Sequence, residues 1–252
     1  MTRWNALILA GSRGDTDPVA VAASVPAKAL AVVGERPMLS HVICAVKAAG
    51  AERIAVSTND AETARLAEVE GAEVLPAASG PSESARGGFS ALGAPMLLTT
   101  ADHALLRPEW IERFIAGVPA DCDAAALLAR RSDVEAAVPE TKRTYLRFAD
   151  GDWSGCNLFY LRRPEAERAL ALWRAVERDR KRPWRIVARI GPRLLLSYLL
   201  GRLTLARALA SLGRTAGISL APVAAEDGRA AVDVDKPADL DLARRLVQAD
   251  AR

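Results

Sequence analysis

Apolar residues come in short blocks separated by polar and glycine-containing breaks, and two periods alternate along the first half of the chain. Asn5 to Ala10 is a nearly continuous apolar run of strand length, the pattern of a strand covered on both faces. Pro37 to Ala49 has helical spacing and is closed by Gly50. Arg53 to Thr58 is the next strand. Asp60 to Glu70 is a helix capped by Asn59 or Asp60 and closed by Gly71. Glu73 to Pro76 (strand), Ser82 to Leu92 (helix), Pro95 to Thr100 (apolar strand), Pro108 to Ala116 (helix with proline at its start) and Ala124 to Ala129 (strand) continue the series.

Strands alternating with helices of about ten residues predict βαβ units and a mainly parallel sheet, an α/β fold. In such sheets ligands bind beyond the carboxyl ends of the strands, where the turn at Gly11 and Asp102 both fall. The second half is less regular. Tyr145 to Phe148 and Cys156 to Leu161 read as strands around an Asp150-Gly151-Asp152 turn. Pro164 to Arg178 reads as a helix, Leu220 to Ala224 with Ala231 to Asp235 as a final hairpin, and Pro237 to Gln248 as the last helix. No internal repeat or low-complexity run interrupts this order, and 252 residues are read as one domain over 1–252.

Composition narrows the class. Half of the residues are hydrophobic, ample for a core, yet no apolar run reaches the ~18–20 residues that span a bilayer. The N-terminal apolar stretch has no cationic leader or cleavage site and is read as a strand, not a secretory signal. Cys44, Cys122 and Cys156 are an odd number without a CxxC, which argues against a disulfide framework or a zinc site and fits a cytoplasmic protein. Two histidines, His41 and His103, are too few for a multi-histidine metal site.

The chemistry concentrates near the N-terminus. The strand ending Leu9-Ala10 runs into Gly11-Ser12-Arg13-Gly14, and Lys28 follows one loop later in Val25-Pro26-Ala27-Lys28. Backbone N–H groups of a glycine-containing turn make an anion site, and Arg13 and Lys28 add full positive charge. The pair reads as a cradle for the phosphates of a nucleoside triphosphate.

At this point the chain resembles the MobA-like NTP transferases. This is a nucleotidyltransferase group with a Rossmann-like, GT-A-type fold, related to molybdenum-cofactor guanylyltransferases, sugar-1-phosphate nucleotidylyltransferases and cytidylyltransferases. Leu9-Ala10-Gly11, Lys28 and Val32 to Leu39 look like its start. Leu97 to Asp102 looks like its strand ending in a metal-binding aspartate, Gly155-Cys156-Asn157 like its acceptor-side strand, and Asp233 to Leu240 like its C-terminal D-x-D-x-P-x-D-L element. Ser12 stands where the family usually has a second glycine, and His103-Ala104 follows Asp102 where many members have x-Pro.

The resemblance implies a three-layer sandwich and a Mg²⁺-dependent transfer of NMP from NTP, GTP or CTP above the others, to a phosphorylated small-molecule or lipid-linked acceptor. Its site residues carry over as follows. Arg13 and Lys28 act on the phosphates; Leu9, Ala10, Gly11, Ser12, Arg13, Gly14, Lys28, Ser82, Ser84 and Asp102 bind the nucleotide. Lys142, Arg143, Gly155 and Asn157 face the acceptor, and Asp102 and Asp235, with Asp233 as alternative or second ligand, hold Mg²⁺. Plain structural roles stand beside these: Asp102, Asp235 and Ser82 as helix caps, Lys142 and Arg143 as solvated loop charges, His103 and Cys156 as core groups.

Net charge is +3, but residues 178 to 214 hold ten basic residues against Asp179 alone. Leucines and Trp184 interleave with these arginines, and Gly191-Pro192 divides the stretch. It reads as a helical insertion at about 178–217, packed on the core or on another subunit. The sharper reading is a membrane-surface element over 181–215, with arginine on one face and leucine on the other. Nucleic-acid binding is excluded, because the segment is too apolar and carries no recognised motif. Two other functions compete with nucleotidyl transfer: a GT-A glycosyltransferase using a nucleotide sugar, and a nucleotide-binding protein without catalysis.

Overall fold

The computed structural model describes residues 3–12, 17–179 and 191–250. In chain order the strands are β1 (Asn5–Leu9), β2 (Val32–Val33), β3 (Arg36–Pro37), β4 (Ile54–Thr58), β5 (Glu73–Pro76), β6 (Met96–Thr100), β7 (Ala124–Arg130), β8 (Leu146–Phe148), β9 (Gly151–Leu161) and β10 (Leu220–Ala224). The α-helices among the described residues are α1 (Pro18–Ala23), α2 (Met38–Ala48), α3 (Ala61–Val69), α4 (Pro81–Leu92), α5 (Pro108–Gly117), α6 (Arg131–Ala137), α7 (Glu167–Asp179), α8 (Pro192–Leu199), α9 (Leu205–Ala216) and α10 (Pro237–Asp250).

Eight strands form one sheet in the order β10-β7-β9-β6-β1-β4-β5, with β8 added to β9. Only β9 runs against its neighbours β6, β7 and β8; the other pairs are parallel. From β1 the chain moves outward to β4 and β5, then returns to the other side of β1 as β6. The winding therefore reverses between β1 and β6, which opens a crevice at their carboxyl ends.

Period-two alternation explains the layers. Ala6 and Ile8 of β1 and Leu97 of β6 face a core with Val42 of α2, Ala67 of α3, Ile111 of α5 and Leu240 of α10. Leu7 and Leu98 face the other way, onto Ala85 and Phe89 of α4 and Leu170 of α7. The result is the expected three-layer α/β arrangement.

Several elements differ from the sequence reading. The final hairpin does not form. Leu220–Ala224 is an edge strand parallel to β7, and 231 to 235 pairs with no strand. Val232 and Val234 alternate with aspartates because they are buried against the core, not because they lie in a ladder. Helices α1 and α6 and the β2–β3 ribbon are additional. Asp17 starts α1 by accepting from the backbone of Val19 and Ala20 ahead of Pro18 at the first helical position.

Trp184, Ile186, Val187 and Ile190, with the basic residues at 180 to 189, lie outside the described residues. Among the described part of that stretch, Leu203 and Leu205 are buried, and Leu205 and Leu209 pack with Leu128 and Trp153. These leucines belong to the core, not to a surface face.

Gly228 shows how closely the layers approach. A Cβ there would sit 2.1 Å from the Asp133 carbonyl oxygen and 2.5 Å from the Val134 nitrogen, both backbone atoms that cannot swing aside. Gly228→Ala is expected to destabilise the fold by about 3 kcal/mol through overpacking. Thermal unfolding would read this as a Tm lowered by roughly 6–12 °C; an unchanged Tm would mean that α6 moves freely relative to this turn.

Candidate active site

The turn after β1 is held by hydrogen bonds on both flanks. Ala10 N donates to the Ser57 carbonyl (2.9 Å), and Ala101 N donates to the Leu9 carbonyl (2.9 Å). Asn59, just past β4, accepts from Ser12 N (2.8 Å) and donates to Ser12 O (3.0 Å). Among the described residues, a Cβ on Gly11 would meet only Ala77 Cβ, at an ordinary 3.8 Å. None of them demands glycine there, in contrast to Gly228. Arg13 and Gly14 lie outside the described residues.

Lys28 enters from a short 3₁₀ turn, Lys28–Leu30, behind Pro26. Its Nζ donates to Asp102 Oδ2 at 2.6 Å and stands 3.8 Å from Asp235 Oδ1. Burial pulls the Lys28 pKa down, but the Asp102 charge and hydrogen bond, then Asp235 and Asp17, outweigh it and the net direction is up. The other oxygen of Asp102 accepts from Thr100 Oγ1 (2.5 Å). Helix α5 starts behind Arg107 with no side-chain cap, so Asp102 is not a helix cap.

Asp235 is not the cap of α10 either. Asp239 Oδ2 accepts from both Asp235 N and Lys236 N at 3.1 Å, which leaves the Asp235 carboxylate, 65% exposed, facing Lys28. Partial desolvation, then the neighbouring charges of Asp233 and Asp102, push the Asp235 pKa up, against the pull of Lys28 and Arg143. A backbone hydrogen bond from Val234 N to the Asp102 carbonyl (3.1 Å) fixes the two segments together.

Asp233 has a different environment. It is buried and engaged by the two terminal guanidinium nitrogens of Arg143, Nη1 to Oδ1 and Nη2 to Oδ2 (3.0 Å), and by Asn157 Nδ2 (2.5 Å). Asn157 sits at a bulge where β7 and β9 slip register, with φ +50°. Asparagine tolerates this left-handed conformation, and the bulge aims its side chain off the ladder. His103 and Cys156 behave as core groups: burial pushes the imidazole down to about 4, against the charges of Asp233 and Asp102, and the thiol up to about 12.

These elements enclose a cleft of about 600 Å³ at the switch point. Of the residues singled out from the sequence, Leu9, Ala10, Gly11, Ser12, Lys28, Ser84, Asp102, Asn157 and Asp235 line it. Other predicted residues do not. Ser82 is buried in the first turn of α4, whose cap is Gly80 with Pro81 following, so it neither caps the helix nor lines the cleft. Ser84 Oγ accepts from Ala78 N (2.9 Å) and shapes the 77–81 rim. Lys142 and Gly155 are exposed away from the lining, and Arg143 and Asp233 are spent on each other behind it.

Sequence reasoning missed two walls. Phe159 and Trp173 stack at 6.2 Å between ring centroids and form an apolar side of the cleft. Phe159 was within reach, two places after Asn157 in the same strand; nothing in the sequence marks Trp173, one of several apolar residues on an amphipathic helix. Asn59 was read only as a possible cap.

Comparison with known proteins identifies relatives of the chain. A cytidylyltransferase for 3-deoxy-manno-octulosonate from Anaeromyxobacter sp. (strain Fw109-5) is 30% identical over 145 residues. That match covers 55% of this chain and 57% of the relative, so the chain spans little over half the length of the curated relative. A hypothetical transferase from Thermus thermophilus superposes with a TM-score of 0.81 at 30% identity, over 95% of this chain and all of that one. A CMP:2-keto-3-deoxy-manno-octonic acid synthetase complexed with CTP (TM-score 0.60, 18% identity, 99% and 100% covered) shares the fold. So does a nucleotidyl transferase from Methanothermobacter thermautotroptrophicus (0.61, 16%, 99% and 100%). A family model for the MobA-like NTP transferase domain matches residues 6–212, and the chain therefore belongs to that family of nucleotidyltransferases.

Proposed function

We propose that the protein transfers a nucleoside monophosphate from an NTP to a phosphorylated acceptor, releases pyrophosphate and uses Mg²⁺. The observation that carries this reading is one ammonium, Lys28, shared between Asp102 and Asp235 at the switch-point cleft beside the Gly11 turn. The likeness to a curated relative named as a cytidylyltransferase supports CTP as the first nucleotide to try.

The donor set fits Mg²⁺. Asp102 and Asp235 are hard oxygen ligands that one ammonium already brings together, and this ion needs only one or two carboxylates beside phosphate and water. Charge points the same way. Three carboxylates (Asp102, Asp233, Asp235) face two cations (Lys28, Arg143), so the cluster is left with one net negative charge. When bound, Mg²⁺ supplies positive charge to the α-phosphate and the leaving group.

The chain's own residues do the rest. The Gly11 backbone N–H and the Lys28 ammonium hold the phosphates, so charge is already compensated as the bond to the leaving group lengthens. An acceptor phosphate oxygen attacks the α-phosphorus, the α–β bridging P–O bond breaks, and its electron pair leaves with pyrophosphate. No covalent enzyme intermediate is required. Asn157, held by Asp233, is the polar contact on the acceptor side, with Phe159 and Trp173 beside it. Arg143 acts one step back, as the residue that positions Asp233. Lys142 and Gly155 have no part in this arrangement.

Thermal shift and pyrophosphate release test the proposal. With Mg²⁺ and CTP at ~100-fold over Kd, stabilisation of about 2.7 kcal/mol is expected, a Tm rise of roughly 5–10 °C. Asp102→Asn and Asp235→Asn should remove the Mg²⁺-dependent part. Pyrophosphate should appear only with an acceptor. No shift with CTP, GTP, ATP or UTP would overturn the reading, and sugar transfer from a nucleotide sugar without pyrophosphate would replace it with glycosyl transfer.

A further inference from the structure

Helix α8 carries an apolar stripe that the fold leaves open. Leu196, Leu199 and Leu200, spaced three and four apart, are 57%, 70% and 57% exposed. The helix is nevertheless fixed to the body. Tyr198 meets Phe148 of β8 edge-on at 6.1 Å, and the segment after α8 is tied to the β8–β9 turn by Ala149 N to the Leu203 carbonyl (2.8 Å) and Leu205 N to Asp150 Oδ1 (3.0 Å). The stripe thus has a defined direction and is not a loose end.

Along the chain, the charges that flank the stripe are of one sign. Arg193 lies one turn before Leu196, and Arg202 two residues after Leu200; both are exposed. From Gly191 to Ala225 the chain has four arginines and no aspartate or glutamate. A second copy laid face to face would bring arginine against arginine. A surface with apolar depth and negative headgroups meets both features. Among the described residues no helix is long and apolar enough to cross a membrane, so contact would be made from the surface.

We propose that α8 seats the protein on an anionic lipid surface, with Leu196, Leu199 and Leu200 entering the acyl boundary and Arg193 and Arg202 at the headgroups. This inference stands apart from the nucleotidyl-transfer reading, since none of Arg193, Leu196, Leu199, Leu200 and Arg202 lines the cleft.

The test is co-sedimentation of the full chain with vesicles of phosphatidylcholine alone and of phosphatidylcholine with phosphatidylglycerol. Binding is expected to the anionic vesicles at low salt and to weaken as salt rises. Leu196→Asn and Leu199→Asn should each reduce partitioning about tenfold; Arg193→Gln and Arg202→Gln should each reduce it about fivefold. These side chains are exposed, so Tm and the nucleotide-induced shift should not change in any of the four variants, which separates failure of docking from failure of the fold or of the site. No pelleting with anionic vesicles would overturn the proposal. Pelleting that ignores the leucine changes would also overturn it. So would a dimer in light scattering that Leu199→Asn converts to monomer, since a second copy would then cover the stripe.

Discussion

Lys28→Ala is expected to lower pyrophosphate release by about 10²–10³-fold, the range found when one preorganised donor to a developing charge is removed. Among the described residues, Lys28 is the one cation in contact with both Asp102 and Asp235. Without it, the net charge of the cluster moves from one to two negative, and a polyphosphate must approach carboxylates with less compensation. The loss should fall mainly on kcat, because the demand for positive charge grows as the pyrophosphate separates. Lys28→Arg keeps the charge but replaces a compact ammonium with a planar fork, and partial recovery is expected.

The pH dependence has a definite sign. The folded-state pKa of Lys28 is raised above its usual 10.5. Its contribution to stability is therefore complete below the unfolded value and is lost only as pH climbs through the higher folded value. Loss of Lys28 charge should not limit activity at neutral pH. Unchanged turnover in Lys28→Ala, with the Tm retained, would remove Lys28 from the site.

The contrast between Lys28 and Asp233 shows what sequence could reveal. Strands β1, β4 and β6 were legible because each is a short apolar run between punctuating residues, and a sheet buried on both faces requires that pattern. Once the alternation implied parallel crossovers, the Gly11 turn and Asp102 fell at strand ends, where ligands gather; Lys28 was read as the charge returning to that turn, and the metal role of Asp102 came from the family resemblance. Asp233 and Asp235 differ only by position in Asp233-Val234-Asp235. Their separation in role comes from Arg143, 90 residues away, and from Asp239, which relieves Asp235 of capping. No local rule finds those partners. The same stretch misled the strand assignment, because Val232 and Val234 imitate a ladder while serving the core. Ser82 is a different case: Gly80-Pro81 already marks the helix start, and a proline at the first helical position places the cap one residue earlier.

The Arg143–Asp233 pair should have the largest effect on stability. Their side chains are 15% and 8% exposed, and two guanidinium nitrogens reach the two carboxylate oxygens. Burial lowers the Arg143 pKa, but the hydrogen bonds and charge of Asp233 outweigh it and the net direction is up. Arg143→Met would keep much of the volume and leave Asp233 buried with Asn157 as its remaining observed donor. Breaking a buried pair from one side costs about 3–5 kcal/mol, a Tm lowered by roughly 6–20 °C at 2–4 °C per kcal/mol. Arg143→Met combined with Asp233→Asn removes both charges, so much of that loss should return. A double-mutant cycle would measure the recovery, and strictly additive losses would mean that the two charges do not stabilise one another. The single variant also bears on the mechanism. With its guanidinium gone, Asp233 becomes a third carboxylate without its cation, and its charge already bears on Asp235. A polyphosphate would then meet a more negative cleft, so the activity retained by Arg143→Met should fall further than its folded fraction, and the double variant should restore both together.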